Sequence, residues 1–120
     1  MLTFFLIYMI KQEIIKIKNN SACKFREFVI NLILKEDSPL DCLLDLKKYG
    51  VQNYGFSNLI YNQDILKVFE KYQDAILEIN EDNGVDFDEN EIEAVFEAVL
   101  FVCNDMLNRL PENARRWQIA

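Results

Sequence analysis

The sequence predicts an all-α fold, a compact bundle of five or six helices in a single domain. Three observations carry this. Apolar residues recur at spacings of three and four along most of the chain, which gathers them on one face of a helix. Apolar residues make up 51% of the composition with only 3 Gly and 2 Pro, too few turn formers for a β-rich protein. No stretch alternates apolar and polar residues for long enough to require a sheet, and there is no internal repeat or low-complexity segment. A chain of 120 residues suits one core, since folding at that length buries roughly two-thirds of the exposed surface.

A first helix is expected over Ile10 to Lys18, ending at the polar pair Asn19-Asn20. The preceding Met1 to Tyr8 is almost wholly apolar and admits three readings: an overlong start, with Met9 the true one; a helical extension that completes the core; or an apolar strip for a partner. The run Met1 to Ile10 has about half the length needed to cross a bilayer. Its lysines, Lys11, Lys16 and Lys18, follow the apolar stretch where a signal peptide would put charge first. Ser21-Ala22-Cys23 has the look of a lipoprotein cleavage site, but Asn19 and Asn20 stand where its apolar segment belongs. Export and membrane insertion are therefore not expected.

Ser21 is placed to cap a second helix whose apolar face is Phe25, Phe28, Val29, Leu32 and Ile33. Asp37-Ser38-Pro39 starts a third, with Ser38 as cap and Pro39 in the first turn, where its missing N–H costs nothing. Leu40, Leu43, Leu44 and Leu46 form its apolar side and Gly50 ends it. Val51 to Ser57 reads as a tight connection before a short helix over Asn58 to Tyr61. A long helix follows from Asn62 or Asp64, with Ile65, Val68, Phe69, Tyr72, Ile76 and Ile79 as its buried stripe and Asn83-Gly84 as its end. Asp88, with Glu91 three positions on, is the expected start of the last helix. Its wide apolar face runs through Ile92, Val95, Phe96, Val99, Leu100, Cys103, Met106, Leu107 and Leu110, and Pro111 closes it. The tail over 111–120, with Arg115, Arg116 and Trp117, either folds back on the core or frays.

Several chemistries lack their parts. The chain has no histidine, the commonest general base and metal ligand. Cys23, Cys42 and Cys103 are odd in number and never in a Cys-x-x-Cys pair, which argues against a disulfide framework or a zinc site and for a reducing cytoplasm. Small core residues are the expected role for all three. There is no phosphate-binding glycine loop, nucleophile elbow or dinucleotide fingerprint. A calcium loop placed with Gly84 at its sixth position would need carboxylates at Ile79 and Asn90. Asp86, Asp88 and Glu91 could gather around magnesium, but helix capping accounts for them equally well. No enzyme, cofactor or metal is expected.

The charge is one-sided. Between Lys71 and Arg109 there is no basic residue, while Asp74, Glu78, Glu81, Asp82, Asp86, Asp88, Glu89, Glu91, Glu93, Glu97 and Asp105 make eleven acids in a chain of net charge −7. Such a field repels nucleic acid and attracts basic surfaces in a salt-dependent way. One reading is a solvated face that keeps the domain soluble. The sharper one makes Glu78, Glu81, Asp82, Asp86, Asp88, Glu89 and Glu93 a partner-binding face that offers carboxylates where a basic protein would hold phosphates.

The stretch Tyr49-Gly50-Val51-Gln52-Asn53-Tyr54-Gly55-Phe56-Ser57-Asn58-Leu59-Ile60-Tyr61, followed by Asp64, Phe69, Tyr72 and Ile76, resembles an uncharacterised family of small phage and prophage proteins. That family follows a tyrosine-glycine turn with a Leu-Ile-Tyr segment and a helix patterned Asp, Phe, Tyr, Glu-Ile; here the last element is Ala75-Ile76 or, shifted, Glu78-Ile79. The resemblance covers about Leu40 to Leu110 and implies a phage-type protein acting in a bacterial cytoplasm, with no functional residue to carry over. Combined with the acidity, it points to an inhibitor of a host nucleic-acid-processing defence effector, similar in kind to anti-CRISPR proteins and docking on a basic nucleic-acid-binding protein. The rival is a structural or regulatory homo-oligomer, a homodimer for example, assembled through the apolar N-terminal helix. Tyr49, Tyr54, Phe56 and Tyr61 crowd one connection, either to cover the end of the core or to form a partner patch.

Overall fold

The computed structural model describes residues 2–51, 59–60, 63–85 and 90–111, with side chains from residue 6 onward. They form five helices: α1 (Leu2–Asn19), α2 (Lys24–Leu34), α3 (Pro39–Tyr49), α4 (Ile65–Asp82) and α5 (Glu91–Arg109). There is no strand among the described residues, and the fold is an all-α bundle. None of these helices is long and apolar enough to cross a membrane. The short helix expected over Asn58 to Tyr61 is described only at Leu59 and Ile60, two buried turn residues, and the 112–120 tail lies outside the described residues.

α5 is the axis of the bundle and packs against each of the other four helices. Its sequence explains why: Ala94, Val95, Ala98, Val99, Val102, Cys103, Met106 and Leu107 are all buried, a stripe wide enough to face several neighbours at once. Around it lie Ile10 and Ile14 of α1, Phe25, Val29, Ile30 and Ile33 of α2, Leu40, Leu43 and Leu46 of α3, and Val68, Phe69, Ile76 and Ile79 of α4. Cys103 lies at 0% exposure, and burial, with the Cys42 thiol nearby as a second cause, pushes its thiol far above its ordinary range, so it is held protonated.

Several boundaries differ from the sequence expectation. α1 begins at Leu2 instead of Ile10, yet its first core side chain is Ile10; Leu6, Ile7 and Met9 are half-buried and Tyr8 is 61% exposed. Ser21 does not cap α2. Cys23 holds the N-cap position without a side-chain bond, while the Ser21 hydroxyl accepts from the Cys23 N–H at 3.3 Å, tightening the α1–α2 turn before the helix begins. Ser38 is the N-cap of α3 by position, and Gly50, at φ +79°, ends that helix as expected. Asp64 caps α4, its Oδ1 accepting from the Leu66 and Lys67 N–H groups at 3.1 and 3.4 Å.

Nothing in the sequence predicted the break in α4 at Tyr72, where φ −117° and ψ 21° leave the helical region. The Tyr72 ring sits 5.6 Å from Phe25 and 5.3 Å from Phe28, with the Lys71 ammonium 5.3 Å from its centroid. The break thus falls where α4 packs its tyrosine against two rings of α2.

In the α2–α3 turn, desolvation and then the neighbouring Asp37 raise the Glu36 carboxyl above its ordinary 4.5. A carboxyl raised in the folded state binds its proton more tightly folded than unfolded. Its contribution is therefore favourable in acid and is lost as pH climbs from 4.5 through the raised value. Glu36→Gln should raise the melting temperature near neutral pH, and the gain over the unaltered chain should vanish in melts run below about pH 4.

Candidate partner-binding acidic face

The acidic residues are set by the way α4 and α5 meet. α4 ends in a Schellman motif: the Val85 N–H reaches the Asn80 carbonyl at 2.9 Å and the Gly84 N–H reaches the Glu81 carbonyl at 3.0 Å, with Gly84 at φ +70°. A Cβ on Gly84 would meet nothing within 4 Å, so Gly84→Ala should cost only the left-handed backbone strain, about 1 kcal/mol by denaturant titration. α5 then starts at Asn90, whose Oδ1 accepts from the Ile92 and Glu93 N–H groups at 3.1 and 3.3 Å. Asn90 thus takes the place the sequence reading gave to Asp88, since an amide oxygen caps as well as a carboxylate and Asn90 directly precedes the first helical residue.

Between these ends lies Asn80, 1% exposed, which donates from Nδ2 to the Ala94 carbonyl at 2.8 Å and ties the last turn of α4 to the first turns of α5. The apolar periodicity by itself assigns Asn80 no role. A usable signal existed: it follows Ile76 by four positions on an otherwise apolar stripe, where a polar residue must have a bonding role. Ile92, expected on the buried face of α5, is 40% exposed, because it precedes by half a turn the point at Ala94 where α4 locks on.

The expected face is brought together in part. Glu78, Glu81 and Asp82 are exposed on the second half of α4, and Glu93 is exposed on the first turn of α5, at the same end of the α4–α5 pair. Asp74, Glu91 and Glu97 are exposed too. Asp86, Asp88 and Glu89 lie outside the described residues. Asp105, the last of the eleven acids, does not belong to the face. Its Oδ2 accepts from Arg26 Nη1 at 2.8 Å and from Arg109 Nε at 2.9 Å, which ties α5 to α2.

Electrostatics separates the acids into two kinds. Glu91 and Glu93 stand in the first turn of α5, where the helix dipole favours negative charge, so folding alone accounts for them. Glu81 and Asp82 stand in the last turn of α4, which has no basic residue, and there the dipole disfavours them by about 0.3–1 kcal/mol each. Asp74, Glu78 and Asp82 also follow one another at spacings of four, adding like-charge repulsion of about 0.2–0.5 kcal/mol per pair. Among the described residues the ion pairs are Lys16–Glu13, Lys24–Glu27, Arg26–Asp105 and Arg109–Asp105, and none relieves the α4 acids.

No group of three His, Cys, Asp or Glu side chains that could hold a metal ion occurs among the described residues; Asp86 and Asp88, the other members of the magnesium set with Glu91, fall outside them. Of the aromatic group, Tyr49 is 49% exposed, and Tyr54, Phe56 and Tyr61 lie outside the described residues. What the described arrangement can do chemically is present a ridge of carboxylates to a basic surface. No family model, no curated protein and no solved structure matches this chain.

Proposed function

We propose that this protein is a non-enzymatic inhibitor that binds a basic nucleic-acid-processing effector of a bacterial host's defences, placing carboxylates against Lys and Arg side chains that otherwise contact phosphate. The observation that carries this reading is the row Asp74, Glu78, Glu81 and Asp82, exposed on α4 without ion-pair partners among the described residues, with Glu81 and Asp82 at the helix end that disfavours them. Such a row costs stability, which solubility alone does not require of four neighbouring positions. The resemblance of the 49–76 stretch to small phage proteins supplies the setting, the cytoplasm of an infected bacterium.

The test is capture from host lysate on tagged protein at low and moderate salt, with the bound proteins identified by mass spectrometry. A nucleic-acid-binding effector that is retained at low salt and lost as salt rises is the expected result. Retention unaffected by salt, or capture of no basic protein, overturns the decoy mechanism.

A second reading rests on α1. Tyr8 is 61% exposed and no side chain over 6–9 is buried, so this turn of an apolar helix is incompletely covered within one copy. A self-associating protein would show a multiple of the 14.2 kDa chain mass by light scattering, reverting to a single chain mass when Met1 to Tyr8 are removed.

A further inference from the structure

A cleft of about 520 Å³ opens where the α1–α2 turn meets the C-terminal half of α5 and the side of α4. Three helices contribute chemistry to it. Arg26 of α2 and Arg109 and Asp105 of α5 form one wall, Glu78 of α4 also lines it, and the buried Ile30 and Met106 close its base.

Charge is unevenly distributed within the cleft. Both guanidiniums donate to the same oxygen, Asp105 Oδ2, at 2.8 and 2.9 Å, so one carboxylate serves two cations and the wall keeps one surplus positive charge. Arg26 is fixed in place by that bond and by the Phe101 ring 5.6 Å away. Arg109 spends only its Nε on Asp105 and is 60% exposed, which leaves its two terminal nitrogens as a fork suited to a carboxylate. Glu78 adds the opposite sign. An anion alone would meet Glu78 and the field of a chain of net charge −7, and a cation alone would meet two arginines.

We propose that this cleft binds a small zwitterion of the amino-acid or dipeptide class, its carboxylate on the Arg109 fork, its ammonium toward Glu78 and an aliphatic side chain toward Ile30 and Met106. The volume lies within the range of small-molecule sites, and Asp105 holds both guanidiniums at the cleft. The site shares Glu78 with the acidic face but not Arg109, so Arg109→Gln tests the cleft without touching the acidic-face reading.

The experiment is a titration of the full-length ¹⁵N-labelled protein with leucyl-leucine, followed by amide shifts. Saturable shifts are expected at Ala22, Cys23 and Arg109. Amidating the dipeptide's C-terminus, or Arg109→Gln, should each weaken binding about tenfold, and acetylating its N-terminus, or Glu78→Gln, should act in the same direction. Arg109 and Glu78 are largely exposed, so both variants should keep the unaltered spectrum elsewhere, which separates lost binding from lost folding. Absence of saturable shifts up to about 10 mM, or equal binding of the amidated dipeptide, overturns the proposal.

Discussion

Phe25→Ala should lower the stability of the protein by about 3–5 kcal/mol, a loss of the size seen when a large ring is removed from a core that cannot close over the gap. Phe25 is 0% exposed on α2, with Phe28 at 6.2 Å and Tyr72 at 5.6 Å between ring centroids. The cavity would open where α2 meets the bend of α4, so two helices lose their common anchor. A small domain holds about 5–15 kcal/mol in total, so the melting temperature should fall on the order of 10–20 °C. Phe28→Ala, at a half-buried position of the same cluster, should cost less. A double variant with Tyr72→Ala should fall short of additivity by about 0.5–1.5 kcal/mol, the part of the energy that belongs to the ring pair. A Phe25→Ala protein that melts within a few degrees of the unaltered chain would show that these rings do not pack as described.

The second large effect is a division of stability from binding. Converting Glu78, Glu81 and Asp82 to their amides should raise stability by about 1 kcal/mol or more, because each change removes a charge from an unfavourable helix end or from a like-charge neighbour. Glu93→Gln should act the other way by a few tenths to about 1 kcal/mol, since it removes a favourable charge from the start of α5. All four changes together should weaken capture of a basic partner at low salt on the order of tenfold or more, with the difference shrinking as salt is added. Denaturant titration and a salt-resolved binding assay on the same four variants read the two effects separately. If the quadruple variant inhibits as well as the unaltered chain, phosphate mimicry by this face is wrong.

The sequence revealed those features of the fold that local chemistry decides. Pro39 and Gly50 mark α3, Asp64 and Asn83-Gly84 mark α4, and the apolar spacing places most of the core, though it leaves out Ile30, Ala94, Ala98 and Val102, which are buried all the same. It did not reveal what depends on residues distant in the chain. The break at Tyr72 falls against rings on α2, and Asp105, one of the eleven acids, pairs with Arg26, 79 positions away. The start of α5 was misplaced for a different reason. Asp86, Asp88 and Asn90 are cap-type residues at alternate positions of the sequence, which does not choose among them, and the structure shows Asn90 as the cap. The candidate face was legible as composition, but the difference between dipole-favoured and dipole-disfavoured acids needed helix ends located to within a residue.

The bend at Tyr72 divides α4 into 65–71 and 73–82, and neither piece has the length at which a helix persists by itself in water, about 12–15 residues. The carboxylate row is therefore helical only while Ile76 and Ile79 stay seated on α5 and Asn80 holds Ala94. Cut out as a peptide, the segment would carry every one of its charges and none of their spacing.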